Sequence, residues 1–334
     1  MTRYAAIIGV GSYLPERVLT NAELEQMVDT SDEWIVSRTG IKERRVVAEG
    51  ESTSDLAARA GRIALERAGV AADEVDMLLL GTTSPDYIMP STACMTQAKL
   101  GLKCPAVDLM AACTSFIYGL QMGAAAIESG RADTVLVIGA EALTRLIDFT
   151  DRGTCVLFGD GAGAVVLRAS DEPGVEATVL GADGTGAEQL IIPAGGAANP
   201  MTVEGVEAHD HFVKMNGSEV FKFAVRVIPR ATTEALARSG HTLDDLAWLV
   251  PHQANERIIA TIEERLGIDD ERVYLNLAKT GNTSAASIPL ALDDLYTSGR
   301  LAPGDVLALV GFGAGLTWGA AVVRWTLVAP NKEA

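Results

Sequence analysis

Cys113 is the residue of this chain whose surroundings best suit nucleophilic chemistry. It follows an apolar segment, 106–110, and precedes an apolar helical pattern, so the sequence predicts a thiol at a strand-to-helix turn. The dipole and the unpaired N–H groups of a helix N-terminus favour a thiolate, which attacks acyl groups readily. The alternative interpretation is a buried cysteine with a packing role only.

His252 and Asn282 are the other two candidates. His252 stands two residues after the predicted strand 247–250, and open α/β sheets place their sites at the carboxyl ends of strands. Asn282 stands 169 residues after Cys113, which is nearly the period of an internal duplication. Taken singly, a histidine in a packing role and an asparagine that caps a helix are the alternatives. Gly311–Gly315 could present backbone N–H groups to an oxyanion, or form only a tight turn.

The remaining cysteines and histidines give weaker signals. Cys94, Cys104 and Cys155 form no CxxC pair, so neither a zinc site nor a disulfide framework is predicted, and a reducing compartment is favoured. His209 and His211 could chelate a metal, but a solvated loop is the favoured interpretation.

Strands and helices alternate along the chain, which predicts a layered α/β architecture that would position these residues. Apolar strand patterns cover 5–10, 75–80, 106–110, 134–138, 164–167, 248–250, 273–277 and 306–310. Helical patterns lie between many of them, over 54–68, 114–129, 221–239 and 256–266.

The two halves of the sequence resemble each other. Ala64–Gly69 matches Ala235–Gly240 at an offset of 171 residues, and Ser129–Arg131 matches Ser298–Arg300 at an offset of 169. Several matches in one order predict two copies of an α/β unit, 1–170 and 171–334, in place of a chance similarity of βα segments. A site is expected at their shared interface.

Acidic residues outnumber basic ones in this chain of 334 residues, 44 against 27, for a net charge of −17. This balance argues against general nucleic-acid binding, although a local basic patch could still bind an acidic partner. The N-terminus lacks a signal-peptide pattern, and no apolar run approaches the roughly 18 residues of a membrane span. The sequence therefore predicts a cytoplasmic protein without a membrane span.

Several motifs resemble those of the β-ketoacyl-[acyl-carrier-protein] synthase III family, which has the thiolase fold. They run in family order over nearly the whole chain: Thr30–Ile41, Ala111–Cys113, Asp151–Thr154, Phe158–Ala164, Pro251–Asn255, Gly281–Ser287 and Gly311–Gly319. The resemblance implies two pseudo-symmetric βαβαβαββ halves in five layers, α-β-α-β-α, in agreement with the duplication. It also implies a homodimer.

The resemblance implies a decarboxylative Claisen condensation that initiates fatty acid biosynthesis. Cys113 would be acylated by a primer acyl-CoA, and malonyl-acyl-carrier-protein would then lose carbon dioxide. His252 and Asn282 would stabilise the enolate oxygen, and the backbone N–H groups of Cys113 and Ala314 would form the oxyanion hole. Coenzyme A enters as a substrate thioester, and no metal or redox cofactor is required.

Five positions match family residues that bind coenzyme A. Trp34 and Arg152 match the pair that sandwiches the adenine, and Arg38 matches a residue near the nucleotide phosphate. Gly217 and Ser218 match positions near the pantetheine. For Trp34, a surface-packed aromatic is the alternative interpretation.

Four further positions concern the partner protein and the primer. Lys222 and Arg257 match residues that dock the acidic carrier protein, with a solvated helix face as the alternative. Ser115 stands where the family usually has glycine, and we expect it to narrow or reorient the primer pocket. Met89 matches a position where many members have phenylalanine and where the side chain reaches the partner's primer pocket. A flexible methionine there is expected to admit branched or longer primers.

Three other functions are alternatives to this interpretation. A related enzyme of secondary metabolism would transfer the acyl group to another acceptor. A cysteine thioester hydrolase would need a carboxylate beside His252, and the sequence offers none that is obvious. A non-catalytic binding protein would have no reason to keep Cys113, His252 and Asn282 together.

Overall fold

The computed structural model describes residues 3–328, which form two main β-sheets with helices between and outside them. The strands are β1 (Tyr4–Tyr13), β2 (Arg17–Thr20), β3 (Glu43–Val46), β4 (Met77–Gly81), β5 (Ala106–Leu109), β6 (Thr134–Glu141), β7 (Gly161–Ser170), β8 (Val175–Ala182), β9 (Leu190–Ile191), β10 (Lys214–Met215), β11 (Leu246–Pro251), β12 (Val306–Gly313) and β13 (Thr317–Arg324). The helices are α1 (Asn21–Leu24), α2 (Asp32–Thr39), α3 (Thr53–Ala68), α4 (Thr92–Leu100), α5 (Ser115–Glu128), α6 (Arg152–Cys155), α7 (Val203–Glu207), α8 (Gly217–Ser239), α9 (Glu256–Leu266), α10 (Leu277–Thr280) and α11 (Ser287–Thr297). Short 3-10 turns over Ala112–Thr114 and Ser284–Ala286 lead into α5 and α11.

The first main sheet is built from the N-terminal half, in the order β1-β7-β6-β4-β5. β4 lies parallel to β5 and β6, whereas β7 is antiparallel to both of its neighbours. β6 is buried along its whole length, as expected for a strand covered by helices on both faces. The parallel arrangement brings the carboxyl ends of β4, β5 and β6 to one edge of the sheet.

The second main sheet is built from the C-terminal half, in the order β11-β12-β13-β8. The strand predicted over 273–277 is wrong, because only one bridge, between Leu249 and Val273, forms there. The side chain of Gln253 forms hydrogen bonds with backbone groups of this segment that a strand would use for pairing. Its Nε2 donates to the Tyr274 carbonyl at 3.0 Å, and its Oε1 accepts from the first N–H of α10 at 3.3 Å.

The predicted five layers are confirmed. α3 and α4 cover the outer face of the first sheet, α5 and α11 lie between the two sheets, and α8 and α9 cover the outer side of the second. The strands of the first sheet end at Ser170, and those of the second begin at Val175. Within residues 3–328, no helix combines the length and the apolar character needed to span a bilayer.

The turns that precede α5 and α11 are built alike. Ala112 and Ser284 open them with φ of 49° and 47°, in the left-handed region that side chains other than glycine rarely adopt. Ser115 Oγ donates to the Ala112 carbonyl, and Ser287 Oγ donates to the Ser284 carbonyl, both at 2.8 Å. The two turns also pack against each other at the centre of the molecule.

This likeness corrects one residue equivalence. The offset of 169 residues pairs Cys113 with Asn282, whereas the two turns pair Cys113 with Ala285. The reason is the length of the helices, because α5 has 14 residues and α11 has 11. An offset measured after these helices therefore does not hold before them.

Candidate active site

Cys113 lies in the turn between β5 and α5, where both sheets reach it. Thr317, the first residue of β13, donates to the Ala111 carbonyl at 2.9 Å, and its hydroxyl lies 2.8 Å from that of Thr114. Gly313, at the end of β12, passes so close that a Cβ there would lie 2.7 Å from the Cys113 nitrogen. Only glycine fits at this approach, so the two halves together fix the backbone of the nucleophile.

Burial changes the acid–base state expected for Cys113, which is 7% exposed. Burial raises the pKa of its thiol to about 12, the Ser284 hydroxyl lowers the pKa, and the charge of Glu141 raises it further. Desolvation therefore outweighs the helix N-terminus, which by itself favours a thiolate. The thiol stays protonated until a base removes its hydrogen.

His252 is a neutral imidazole of known orientation. Its Nδ1 lies 2.7 Å from Ser287 Oγ, and that hydroxyl donates to the Ser284 carbonyl at 2.8 Å. A carbonyl oxygen can only accept, so Nδ1–H donates to Ser287 and Nε2 is left as an acceptor. Burial lowers the pKa of His252 to about 3. The ring of Phe312 contacts the imidazole edge to face, with centroids 5.5 Å apart.

Asn282 is held by its backbone and by one side of its amide. Its N–H donates to the Leu157 carbonyl at 2.8 Å, and its carbonyl accepts from Gly159 at 3.0 Å, which forms a parallel bridge with Phe158. Its Oδ1 accepts the Ser284 N–H at 2.9 Å. This bond turns the oxygen away, so the NH₂ group is the part that Asn282 offers as a donor to the site.

Ala314 follows Gly313 in the turn between β12 and β13. The Thr317 hydroxyl, which donates to Ala111, also lies 3.0 Å from the Ala314 carbonyl. Two backbone bonds join Leu316 in this turn to Asp183, which follows β8. Ala314 and Cys113, the residues predicted to form the oxyanion hole, line the same cavity.

Two cavities meet at Cys113. The larger, of about 720 Å³, is also lined by His252 and Asn282 and by the predicted substrate or docking residues Arg38, Gly217, Ser218, Lys222 and Arg257. The smaller, of about 420 Å³, is mostly apolar and is lined by Thr83, Met110, Ala112, Leu143, Leu146, Phe158, Leu190, Ile191, Ile192, Val213, Ser284, Ala314 and Gly315. A group attached to the Cys113 sulfur could extend into either space.

Trp34 and Arg152 are brought together, but outside the lining of these cavities. The Arg152 guanidinium carbon lies 4.9 Å from the centroid of the Trp34 indole, and Arg152 donates to the Asp29 carbonyl at 2.9 Å. An aromatic ring between the two would need a separation of about 7 Å, twice the optimal contact distance. An adenine could therefore enter this pair only if the Arg152 side chain moved outward.

Ser115 and Met89 do not line either of these two cavities. The Ser115 side chain is fully buried, and its hydroxyl accepts from the Ala111 N–H and donates to the Ala112 carbonyl, both at 2.8 Å. Ser115 therefore closes its own turn, and its side chain does not narrow the smaller cavity by direct contact. Met89 is 85% exposed, which fits a side chain directed at another molecule.

The site also contains residues that the sequence did not single out. Ser287, Ser284 and Phe312 belong to quoted motifs, but their contacts with His252 and Asn282 depend on the fold. Glu141 had a signal of its own, because it is the one charged residue of the apolar strand β6.

The histidine pair weighed as a metal site has other contacts. His209 Nδ1 lies 2.6 Å from the Asp148 carboxylate, and the rings of His211 and Phe212 are 4.0 Å apart. Across the part of the chain that the structure describes, no three His, Cys, Asp or Glu side chains are arranged to hold a metal ion.

Comparison with known proteins identifies the family. The models of 3-oxoacyl-[acyl-carrier-protein] synthase III and of its C-terminal part match residues 107–184 and 236–325. A β-ketoacyl-[acyl-carrier-protein] synthase III of Caldanaerobacter subterraneus subsp. tengcongensis is 51% identical over 324 residues, 96% of this chain and 98% of the relative.

Solved structures agree with the sequence comparison. The crystal structure of β-ketoacyl-[acyl-carrier-protein] synthase III from Thermus thermophilus superposes with a TM-score of 0.89 at 50% identity, covering 96% of this chain and 99% of that one. The priming β-ketosynthase of a polyketide biosynthetic pathway gives a TM-score of 0.91 at 38% identity, covering 98% of each chain. On the match of sequence, fold and motif order, the chain belongs to the 3-oxoacyl-[acyl-carrier-protein] synthase III family.

Proposed function

We propose that this chain condenses a primer acyl-CoA with malonyl-acyl-carrier-protein through an acyl-Cys113 intermediate, the step that initiates fatty acid biosynthesis. One observation carries the proposal. Cys113, His252 and Asn282 line one cavity together with cationic residues, and Cys113 also lines a second, mostly apolar cavity. This arrangement offers one space for a thioester carrier and another for an acyl chain.

In the first half-reaction, Cys113 takes the acyl group from coenzyme A. Because burial keeps the thiol protonated, attack needs a base, and His252 Nε2 is the acceptor that the site supplies. The oxygen of the tetrahedral intermediate is received by the N–H groups of Cys113 and Ala314. When the C–S bond to coenzyme A breaks, the departing thiolate takes the proton from His252, so the base returns to its neutral form.

In the second half-reaction, malonyl-acyl-carrier-protein loses carbon dioxide. The electrons of the broken C–C bond form an enolate, whose oxygen accepts from the Asn282 NH₂ group. His252 donates as well once its hydrogen sits on Nε2, which the Ser287 hydroxyl permits by turning to donate to Nδ1. The enolate carbon attacks the acyl-cysteine, Cys113 leaves as a thiolate, and a proton from solvent restores the thiol.

The cationic residues suit the carriers of both thioesters. Arg38, Lys222 and Arg257 line the larger cavity, and Gly217 and Ser218 line it without bulky side chains. We assign Arg38 to the coenzyme A phosphates, and Lys222 and Arg257 to an acidic carrier protein. In a chain of net charge −17, such a local patch is what an acidic partner requires.

We further propose a homodimer in the cytoplasm. β5 is the edge strand of its sheet, and large apolar side chains are exposed on it and near it, among them Ile88, Met89, Val107 and Met110. An exposed apolar edge of this kind is normally covered by another chain. The four cysteines are all unpaired, which favours a reducing compartment.

The structure gives no support to thioester hydrolysis. His252 Nδ1 has a serine hydroxyl as its partner where a hydrolase would use a carboxylate. Transfer of the acyl group to an acceptor of secondary metabolism remains the second candidate, because a polyketide priming synthase shares this fold closely.

The proposal is tested by separate incubation with acetyl-, isobutyryl- and octanoyl-CoA, followed by intact mass spectrometry. We expect one acyl group on the wild-type protein and none on Cys113→Ala. Addition of malonyl-acyl-carrier-protein should then release a 3-ketoacyl product. Acylation without condensation would assign the chain to acyl transfer, and strict acetyl preference would contradict the expectation that Met89 admits larger primers.

A further inference from the structure

Glu141 is a fully buried carboxylic acid at the end of β6, and the proposed reaction does not use it. The hydroxyls of Thr82, Thr83 and Ser84 donate to it at 3.2, 2.9 and 2.6 Å. The N–H groups of Thr83 and Ser84 donate at 3.0 and 3.1 Å, and that of Ala285 at 3.4 Å. No cation balances the charge among these contacts. Burial raises the pKa of Glu141, but so many converging donors hold the group as a carboxylate.

The internal symmetry shows what this carboxylate replaces. β6 and β12 both have eight residues, so Glu141 at the end of β6 corresponds to Gly313 at the end of β12. Gly313 has no side chain that could accept from the Cys113 nitrogen, whereas Glu141 Oε1 accepts from the nitrogen of Ala285, the counterpart of Cys113. Glu141 therefore occupies, in the opposite half, the place that a substrate oxyanion would take beside Cys113.

Ser284 connects this carboxylate to the reacting groups. Ser284 lines the smaller cavity together with Cys113, and its hydroxyl lowers the pKa of both the Glu141 carboxyl and the Cys113 thiol. Its N–H donates to Asn282 Oδ1 at 2.9 Å, which fixes the direction of the Asn282 amide. Ser284 also adopts a left-handed φ of 47°, a conformation that needs support from its neighbours.

We propose that Glu141 is a positioning residue that acts through Ser284 to orient the Cys113 thiol and the Asn282 amide. The inference rests on the proposed condensation, because it concerns the same site. The Glu141 side chain joins Thr82–Ser84 to Ala285 through hydrogen bonds. The residue before Ala285 is the strained Ser284, which donates to Asn282 and lines the smaller cavity together with Cys113. The negative charge of Glu141 also opposes ionisation of the Cys113 thiol.

The test uses two variants that separate shape from charge. Glu141→Gln removes the charge and leaves one oxygen where two received donors, so the support of Ser284 is weakened. Ser284→Ala keeps the charge and removes the hydroxyl. Asp160→Asn is the matched control. Asp160 is another fully buried carboxyl group, and it accepts hydrogen bonds from Thr144 and Val47. Burial and the charge of Glu141 raise its pKa, but Asp160 has no hydrogen bond with Cys113.

Two rates are measured for each variant and for the wild type. One is kcat for condensation, and the other is alkylation of Cys113 by iodoacetamide between pH 7.5 and 9, resolved by peptide mass spectrometry from the exposed Cys94. Alkylation reports the fraction of Cys113 that is thiolate. This fraction depends on Glu141, on Ser284 and on the imidazole of His252. Condensation also requires the oriented amide.

For Glu141→Gln we expect kcat to fall roughly ten- to a hundredfold, with the KM for acyl-CoA nearly unchanged. Alkylation should rise roughly three- to tenfold, the equivalent of up to one pKa unit. For Ser284→Ala both rates should fall, and Asp160→Asn should leave alkylation unchanged.

A parallel fall of both rates in Glu141→Gln would reduce Glu141 to a packing role and overturn the inference. Unchanged rates in Glu141→Gln would overturn it as well. If the wild type itself fails to form an acyl-Cys113 or to condense, the proposed function fails instead, so the two failures are distinguishable.

Discussion

The turn at Cys113 and its counterpart at Ala285 have similar backbones, but different residues lie beside them. Both open on a residue with left-handed φ and both are closed by a serine hydroxyl at the start of a helix. Beside Cys113 the opposing strand ends in Gly313, which has no side chain and lines the larger cavity with Cys113. Beside Ala285 the opposing strand ends in Glu141, whose carboxylate accepts from the Ala285 nitrogen.

A second pair of positions differs in the same sense. β4 pairs with β6 as β11 pairs with β12, and this register makes Gly81 the counterpart of His252. A Cβ at Gly81 would lie 2.7 Å from that of Ser115, so the first half has no room for a side chain there. The second half therefore carries the proposed base, and the first half carries the proposed nucleophile. The counterparts of these two residues in the opposite halves are Gly81 and Ala285.

The largest expected effect is the loss of the nucleophile. Cys113→Ala should reduce condensation by at least about 10³-fold, because the acyl-enzyme cannot form. The sharper experiment adds Ala285→Cys to this variant. The transplanted thiol should stay unacylated by acyl-CoA in mass spectrometry, since Glu141 occupies the space that the thioester oxygen would need. Acylation at position 285 would show that the two turns are chemically equivalent and would break the comparison.

Asn282→Asp separates the two half-reactions. The carboxylate can still accept the Ser284 N–H, but it replaces the donor that faces the enolate by an acceptor. Loss of one such donor typically costs about 10²- to 10³-fold in rate, so condensation should fall by that factor while acylation of Cys113 by acyl-CoA persists. Stopped-flow acylation and steady-state condensation are compared. An equal loss in both would place Asn282 in the first half-reaction and contradict the assignment.

Gly313→Ala tests whether the catalytic turn requires the close approach of the backbone at Gly313. The added methyl would lie 2.7 Å from the Cys113 nitrogen, and displacing the nucleophile by a few tenths of an ångström should lower acylation by roughly tenfold or more. Gly184→Ala is the control, because a Cβ there meets nothing within 4 Å and it should retain wild-type rates. Unimpaired acylation in Gly313→Ala would mean that the turn can shift without cost.

Much of this site follows from residue order, and part of it does not. The alternation of elements, the duplication and the motifs around Cys113, His252 and Asn282 are local patterns, and they predict the layers and the reacting groups. No local pattern predicts that the Cys113 thiol is protonated, because its protonation results from burial by segments of both sheets. The failed strand over 273–277 has the same origin, since the Gln253 side chain competes for its backbone from a distant position.

Long-range packing also decides the role of single polar residues. Ser115 looked like a change in the primer pocket, and only the fold shows that its hydroxyl is used up by Ala111 and Ala112. Glu141 lies beyond the strand predicted over 134–138, and only the fold brings it to Ala285, which is 144 residues away.

The smallest expected effect concerns the histidine that distinguishes the second half from Gly81. Burial lowers the pKa of His252 from 6.5 to about 3, so the folded protein holds it neutral while the unfolded chain protonates it below pH 6.5. The stability tied to the neutral imidazole is therefore complete above pH 6.5 and is lost as the pH falls toward 3, by about 1.4 kcal/mol per pH unit. Between pH 6.5 and 5 the wild type should lose about 2 kcal/mol of unfolding free energy more than His252→Gln does, as measured by urea denaturation. Burial raises the pKa of Asp160 to about 6, so this residue titrates in part of the same range in both proteins, and its contribution cancels in the difference.

Equal acid sensitivity of the two proteins would mean that His252 is solvated in the folded state. The environments of His252 and Gly81 would then differ less than their contacts indicate.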